Sequence, residues 1–168
     1  MRKILLLIAI FSVAVAGMAQ HKPHRGTYHD PRPRHMERNH HMGNSATPKA
    51  PEFLKKGDTV AILSPSSVPT DLSIIDKGKA VLEQWGYNVV EGRYARTNYH
   101  TYAGTPEQRV SDILWALRDP SVKAIVCSRG GYGSANVLNL LPVDTLKKYP
   151  KWIVGSSDIT GYLSAEVR

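Results

Sequence analysis

The chain has 168 residues, a formal net charge of +8 and a single cysteine, which suits one folded domain with additional segments. Residues 21–50 carry six basic and two acidic side chains, whereas residues 51–168 are nearly balanced, with 14 basic and 12 acidic. Because binding to nucleic acid needs a basic face, we expect no nucleic-acid partner for this balanced part. The lone Cys127 excludes an intrachain disulfide, and its apolar neighbours predict a buried, unreactive thiol.

The first 19 residues have the pattern of a secretory signal peptide. Arg2 and Lys3 precede a short apolar run, and Gly17 and Ala19 are the small residues before an expected cleavage at Gln20. The apolar run is too short for a comfortable membrane span. We therefore expect an exported protein, in the periplasm or outside the cell, with no stable membrane span after cleavage.

Residues 20–51 are rich in His, Pro and Arg and contain almost no large apolar side chains. Such a composition cannot bury enough surface to offset the entropy of the chain, so we expect a disordered linker. Its six histidines fit no site of fixed geometry, and the pattern supports no more than weak, adventitious metal binding. The histidines are His21, His24, His29, His35, His40 and His41.

Residues 52–168 alternate predicted strands with predicted helices. The strands are short apolar runs expected at Thr59–Leu63, Tyr87–Val90, Val122–Cys127 and Trp152–Val154. Continuous apolar strands that alternate with helices predict an α/β domain with a mainly parallel sheet covered on both faces.

Helical periodicity and capping residues place the helices between these strands. A stripe formed by Ile74, Gly78, Val81, Leu82 and Trp85 predicts a first helix within Asp71–Trp85, which Gly86 ends. Thr105, Pro106 and Gln108 predict a capping box, with the apolar stripe Val110, Ile113, Leu114 and Leu117 behind it. A short helix over Ser134–Leu140 and a turn or helix over 143–149 follow.

Three loops leave the carboxyl ends of the predicted strands, where ligands bind in such folds. They are Ser64–Ser67, Ser128–Ser134 and Gly155–Asp158, and all are rich in Ser or Gly. In the last of them a strand, a sharp turn and a helix start follow one another, as in a nucleophile elbow. The pattern alone leaves two interpretations open: a catalytic serine above a helix N-terminus, or loop serines with Asp158 as an ordinary N-cap.

The combination of Arg129-Gly130-Gly131-Tyr132-Gly133-Ser134 with Gly155-Ser156-Ser157-Asp158 resembles the LD-carboxypeptidase family of serine peptidases. This family includes murein tetrapeptide carboxypeptidases and microcin C immunity proteins. The segments around Gly57–Ala61 and Ser64–Ser67 extend the resemblance, which runs from about Leu54 to Leu163. It implies a Rossmann-like three-layer α/β domain over residues 52–168, followed in the family by a β-rich C-terminal domain. We expect this chain to be truncated before that domain.

The resemblance also implies a set of catalytic roles. Ser157 would be the nucleophile, and the backbone N–H groups of Asp158 and Gly131 would form the oxyanion hole. The family's Glu and His come from its C-terminal domain, and nothing in this sequence matches them; His100 is the only histidine after residue 51. The sequence also has Ser156 where we expect an aromatic residue in the family.

The function implied is release of a terminal D-alanine from murein-derived peptides, without a cofactor or a metal. Because the base is unmatched, we expect this chain alone to be inactive, and a non-catalytic peptide-binding or small-ligand-binding α/β module stays open as the alternative. The face that would meet the second domain should be exposed and apolar, which leaves homodimerisation open.

Overall fold

The structure, a computed structural model, describes residues 50–142 and 144–167. The predicted signal peptide (1–19) and all but the last residues of the predicted linker (20–51) lie outside the described residues, as does Val143. None of the described helices is long and apolar enough to cross a membrane. The strands are β1 (Thr59–Leu63), β2 (Asn88–Glu91), β3 (Val122–Cys127) and β4 (Trp152–Val154). The helices are α1 (Ser73–Gln84), α2 (Pro106–Arg118), α3 (Ser134–Leu138), α4 (Thr145–Lys148), a 3-10 turn (Ser157–Ile159) and α5 (Thr160–Val167).

The four strands form one parallel sheet in the order β2-β1-β3-β4. Ala61 of β1 pairs with Val90 on one side and with Ile125 on the other, so β1 and β3 occupy the centre. This arrangement confirms the predicted α/β class and parallel sheet. Because all strands run the same way, the loops that follow β1, β3 and β4 emerge at one edge.

The central strands bury alternate side chains on opposite faces of the sheet. On one face, Ala61 and Leu63 join Ile125 and Cys127 in a cluster that packs against α2, α3, α4 and α5. On the other, Val60 and Ile62 pack with Ala124 against α1. Helices therefore cover both faces, which confirms the expected three layers.

The first helix buries only part of the predicted stripe: Leu82 is in the core and Trp85 packs against it, but Ile75 takes the place of Ile74. Ile75 and Leu82 are buried, whereas Ile74 and Val81 remain more than a third exposed. Two stripes of the same helical period run side by side in this segment, one residue apart, and both contain large apolar side chains. Local periodicity could not choose between them; packing against β1 and β3 does.

The second helix begins as predicted. The Thr105 hydroxyl accepts the Gln108 N–H at 3.3 Å, and the Gln108 side chain accepts the Thr105 N–H at 2.9 Å. Pro106 occupies the first turn, where no backbone N–H is needed. The predicted stripe residues Val110, Ile113 and Leu117 are buried in the core.

The far end of α2 is joined to β4 by a lysine. The Lys151 ammonium donates to the carbonyl of Ala116 at 2.7 Å and also to the carbonyl of Asp119. A cation at this position satisfies terminal carbonyls and complements the negative end of the helix dipole. This contact fixes where β4 starts, and therefore where the loop after β4 lies.

Removing the capping hydroxyl should lower stability without changing the fold. We expect Thr105→Ala to reduce the free energy of unfolding by about 1 kcal/mol, because the Gln108 N–H at the start of α2 loses its acceptor. Urea denaturation would measure this. The control is Ser111→Ala on the exposed face of the same helix, where the hydroxyl contacts only the Gln108 carbonyl. Equal losses in the two variants would contradict the prediction.

Candidate active site

The three loops predicted to meet at the carboxyl edge of the sheet are joined there by side-chain hydrogen bonds. The Ser64 and Ser128 hydroxyls lie 2.6 Å apart, linking the loops after β1 and β3. The Ser66 hydroxyl donates to Asp158 at 2.6 Å, linking the loops after β1 and β4. These neighbours are 64 and 92 residues apart in sequence, so the parallel sheet alone brings them together.

The loop after β4 makes the sharp turn expected of an elbow. Gly155 follows the strand and packs so tightly on Ile159 that a Cβ there would lie 2.5 Å from the isoleucine Cγ2. Ser157 has φ +58°, a left-handed conformation that costs a non-glycine residue on the order of 1 kcal/mol. The chain then enters the 3-10 turn and α5, where Ile159 and Tyr162 are buried. Strand, turn and helix start are therefore confirmed.

Ser157 lies against the glycine-rich loop, at the carboxyl end of β4. A Cβ on Gly130 would lie 2.9 Å from the Ser157 Cβ and 2.7 Å from the Ser156 carbonyl oxygen. Glycine at 130 is what allows the two loops to approach this closely. Both serines are exposed. The side chain of Ser157 is thus next to the loop that carries Gly131, while Ser156 contributes its carbonyl to the turn.

The backbone N–H groups of Gly131 and Asp158, the residues predicted to form an oxyanion hole, have no hydrogen-bond acceptor among the described residues. Asp158 N is close to the glycine-rich loop, since a Cβ on Gly130 would lie 3.3 Å from it. Free N–H groups in the first turn of a helix favour developing negative charge.

The Asp158 carboxylate has a role that the sequence did not indicate. It accepts the Ser66 hydroxyl, the Ser134 N–H at 2.9 Å and the Ser134 hydroxyl at 2.9 Å. Partial burial alone would raise the pKa of Asp158, but these hydrogen bonds outweigh it and hold the pKa below its ordinary value. The interpretation of Asp158 as an ordinary N-cap is wrong, because its side chain caps no turn of its own helix.

Ser67 is a second residue whose role in the site the sequence did not indicate. It is buried and touches the glycine-rich loop twice: its N–H donates to the Gly130 carbonyl at 3.3 Å, and its Oγ accepts the Tyr132 N–H at 3.1 Å. Gly131, between the two contacts, has φ +108°. The Ser-rich pattern pointed to this loop, but no local signal distinguished Ser67 from its neighbours.

Arg109 is buried behind the site, with 1% of its surface exposed. Its Nη1 donates to the carbonyls of Pro65 and Gly133, at 3.0 and 3.1 Å, and its guanidinium lies 4.8 Å from the centre of the Tyr102 ring. Burial lowers the pKa of Arg109. Nε and Nη2 have no partner among the described residues. Arg109 therefore joins two loops that line the site, through Pro65 in one and Gly133 in the other.

The remaining reactive side chains lie elsewhere or are inert. Cys127 is buried, and desolvation raises the pKa of its thiol to about 12, as expected for an unreactive thiol. The His100 ring packs edge-on against Tyr99. Within the described ranges, no three His, Cys, Asp or Glu side chains are grouped so as to hold a metal ion.

Comparison with known proteins identifies similar sequences and structures. The family model described as the LD-carboxypeptidase N-terminal domain matches residues 60–168. The probable murein peptide carboxypeptidase of Bacillus subtilis is 34% identical over 110 residues, which is 66% of this chain and 34% of that protein. The murein tetrapeptide carboxypeptidase of Pseudomonas aeruginosa is 36% identical over 108 residues, covering 63% of this chain and 34% of that protein.

A solved structure extends the similarity to the fold. A mutant of the microcin C7 self-immunity protein MccF, in complex with adenosine monophosphate, superposes with a TM-score of 0.64 at 28% identity. The match covers 70% of this chain and 36% of that one. The chain spans about a third of the length of the curated relatives it matches.

The contact between Gly130 and the elbow leads to a paired prediction. We expect Gly130→Ala to lower the free energy of unfolding by about 1–3 kcal/mol, since its Cβ would overlap the Ser156 carbonyl and the Ser157 Cβ. Gly78→Ala, on α1 with open space around it, should instead raise stability by about 0.5–1 kcal/mol. Urea denaturation of both variants would measure the difference. A Gly130→Ala variant as stable as Gly78→Ala would contradict this packing.

The hydrogen bonds to Asp158 predict a pH-dependent loss of stability. Because the pKa of Asp158 is lower in the folded state, its contribution is fully present above the unfolded pKa, near 3.8, and disappears as the pH falls through the folded value. Asp158→Asn should therefore cost about 2 kcal/mol at neutral pH. The difference from the wild type should shrink below about pH 4.

Denaturation curves collected between pH 3 and 7 would test this dependence. Asp144→Asn is the matched control, because Asp144 is exposed and its left-handed backbone suits asparagine. A difference between Asp158→Asn and the wild type that is independent of pH would show that the carboxylate charge is not what stabilises the site.

Proposed function

Because the chain belongs to the LD-carboxypeptidase family, we propose that it carries the nucleophile and oxyanion hole of a serine-type carboxypeptidase acting on murein-derived peptides. The observation that supports this most directly is the position of Ser157. It occupies a strained turn at the carboxyl end of β4, beside the glycine-rich loop and beside two unoccupied N–H groups. Backbone strain at a serine so placed is typical of an activated nucleophile's turn.

In the proposed reaction the Ser157 Oγ attacks the carbonyl carbon of the L,D peptide bond before a terminal D-alanine. The N–H groups of Gly131 and Asp158 donate to the oxyanion of the tetrahedral intermediate. Collapse of this intermediate breaks the peptide bond, D-alanine leaves as the amine, and water later hydrolyses the acyl-serine. No cofactor or metal takes part.

The proton of Ser157 needs an acceptor that the described residues do not present. Within residues 50–142 and 144–167, no side chain forms a hydrogen bond with the Ser157 hydroxyl, and the Asp158 carboxylate is occupied by Ser66 and Ser134. A serine hydroxyl without an adjacent base is a weak nucleophile. We therefore propose that the base is supplied as in the family, by a His and a Glu of the β-rich C-terminal domain.

The resemblance to murein tetrapeptide carboxypeptidases makes a tetrapeptide with a terminal D-alanine the proposed substrate. Export, as residues 1–19 predict, would bring the protein near peptidoglycan, in the periplasm or outside the cell. A homodimer also stays a proposal. It draws support from the edge strand β4, where Trp152 and Val154 remain more than a third exposed.

The absence of a base next to Ser157 among the described residues also favours a second candidate function. The same loops, with their hydroxyl groups and free N–H groups, would then bind a peptide carboxylate or another small ligand without cleaving it. In that case Gly131 and Asp158 serve as anion donors, and Ser157 only adds polar contact. Turnover separates the two candidates, because only the first requires release of D-alanine.

We expect the purified 168-residue chain to release no measurable D-alanine from a murein tetrapeptide, because no described residue forms a hydrogen bond with the Ser157 hydroxyl as a base would. Chromatographic or enzyme-coupled detection of D-alanine would measure it, with a full-length family member as the positive control. Turnover by this chain that Ser157→Ala abolishes and Ser156→Ala retains would show that its site is complete, contrary to the expectation.

A further inference from the structure

Ser67 holds the glycine-rich loop from the side opposite the elbow. Its N–H donates to the Gly130 carbonyl and its Oγ accepts the Tyr132 N–H. Only 7% of the surface of Ser67 is exposed, so these hydrogen bonds are shielded from water. Together they constrain the peptide groups on both sides of Gly131.

The first of these hydrogen bonds determines the direction of the Gly131 N–H. In a planar trans peptide the C=O and the following N–H point in opposite directions. The Gly130 carbonyl points at Ser67, so the Gly131 N–H points away from Ser67. The elbow lies against Gly130, where a Cβ would approach the Ser157 Cβ and Asp158 N. The Gly131 N–H, directed away from Ser67, has no acceptor among the described residues.

The second hydrogen bond, from the Tyr132 N–H to the Ser67 Oγ, determines which N–H group of this loop can donate to a ligand. Because the Tyr132 N–H is used by Ser67, it is not available to a ligand, whereas the Gly131 N–H has no acceptor among the described residues. The fit is also steric: a Cβ on Gly131 would overlap the Ser67 Oγ and lie 2.7 Å from the Ser67 Cβ. Ser67 and Gly131 are therefore matched in hydrogen bonding and in shape.

We propose that Ser67 is a positioning residue that turns the Gly131 N–H toward the reacting carbonyl at Ser157. This inference rests on the proposed function and adds to it a residue that touches no reacting atom. Ser67 acts through the Gly130–Gly131 peptide, so its loss weakens one donor of the oxyanion hole and leaves the other, Asp158, in place.

Amide hydrogen exchange tests the geometry without any ligand. In the 15N-labelled chain we expect slow exchange for the N–H groups of Ser67 and Tyr132 and fast exchange for that of Gly131. Ser67→Ala should speed exchange at Tyr132 at least tenfold. Ser111→Ala is the control, because the exposed Ser111 hydroxyl lies on α2 and bonds only to the Gln108 carbonyl. A Gly131 N–H as protected as that of Tyr132 in the wild type overturns the proposal.

A titration tests the consequence for anion binding. The probe is the murein tripeptide left after loss of D-alanine, whose new carboxylate would occupy the oxyanion hole. In the wild type and in Ser111→Ala we expect saturable shifts of the Gly131 and Asp158 amide signals. In Ser67→Ala we expect the Gly131 shift to disappear, the Asp158 shift to persist, and Kd to rise at least fivefold.

The outcomes separate the two hypotheses. Wild-type affinity and a wild-type Gly131 shift in Ser67→Ala would overturn the role of Ser67 and leave the proposed function intact. No shift at either amide in the wild type would count against the proposed function, and the exchange rates of the wild type would still decide whether Ser67 holds the loop. That decision needs no variant, so it stands even if Ser67→Ala fails to fold.

Discussion

The arrangement of the candidate site depends on the carboxylate of Asp158. One charged group accepts hydrogen bonds from the loops after β1 and β3 while it belongs to the loop after β4. Hydrogen bonds to a charged acceptor are shorter and stronger than those between neutral groups. Since β1, β3 and β4 are neighbours in a parallel sheet, their loops end within reach of a single side chain. The sheet brings the three loops close together, and the hydrogen bonds to Asp158 fix their positions.

A buried cation complements this carboxylate from the core side of the same loops. Arg109 donates to carbonyls of the Ser64–Ser67 loop and of the glycine-rich loop, which are the same two loops that Asp158 holds through N–H and hydroxyl groups. The two charges thus use opposite polar groups of the same segments. Their attraction also offsets part of the cost of burying Arg109 without a carboxylate in direct contact. Because these loops are held from both sides, they stay in place even though some of their N–H groups have no acceptor.

The sequence predicted the parts of the fold that local physics determines. The strands Thr59–Leu63 and Val122–Cys127 were found at their predicted bounds because continuous apolar runs are a local signal. The capping box of Thr105 was found because its two hydrogen bonds span only three residues. In contrast, the choice between Ile74 and Ile75 depends on a partner surface far away in sequence, and the prediction wrongly placed Ile74 and Val81 in the buried stripe.

The same distinction applies to the site. The three loops and the turn at Ser157 could be predicted, since strand ends and glycine patterns are visible along the chain. The polar residues that join these loops could not, because each contact spans dozens of residues: Arg109 and Pro65 are 44 apart, Ser67 and Tyr132 are 65 apart. A buried arginine on a helix also breaks the rule that charged residues lie outside, and no local pattern indicates where its partners are.

The left-handed backbone at Ser157 has a consequence for which residues the position can accept. A left-handed conformation brings the Cβ close to the following backbone, and a branched Cβ makes this crowding worse. Threonine carries the same hydroxyl as serine but is β-branched, whereas cysteine has a single substituent on Cβ. At this turn the backbone therefore disfavours Ser157→Thr, which is the substitution that would keep the hydroxyl group. The geometry of the turn therefore restricts which side chains position 157 can accept, whatever their reactivity.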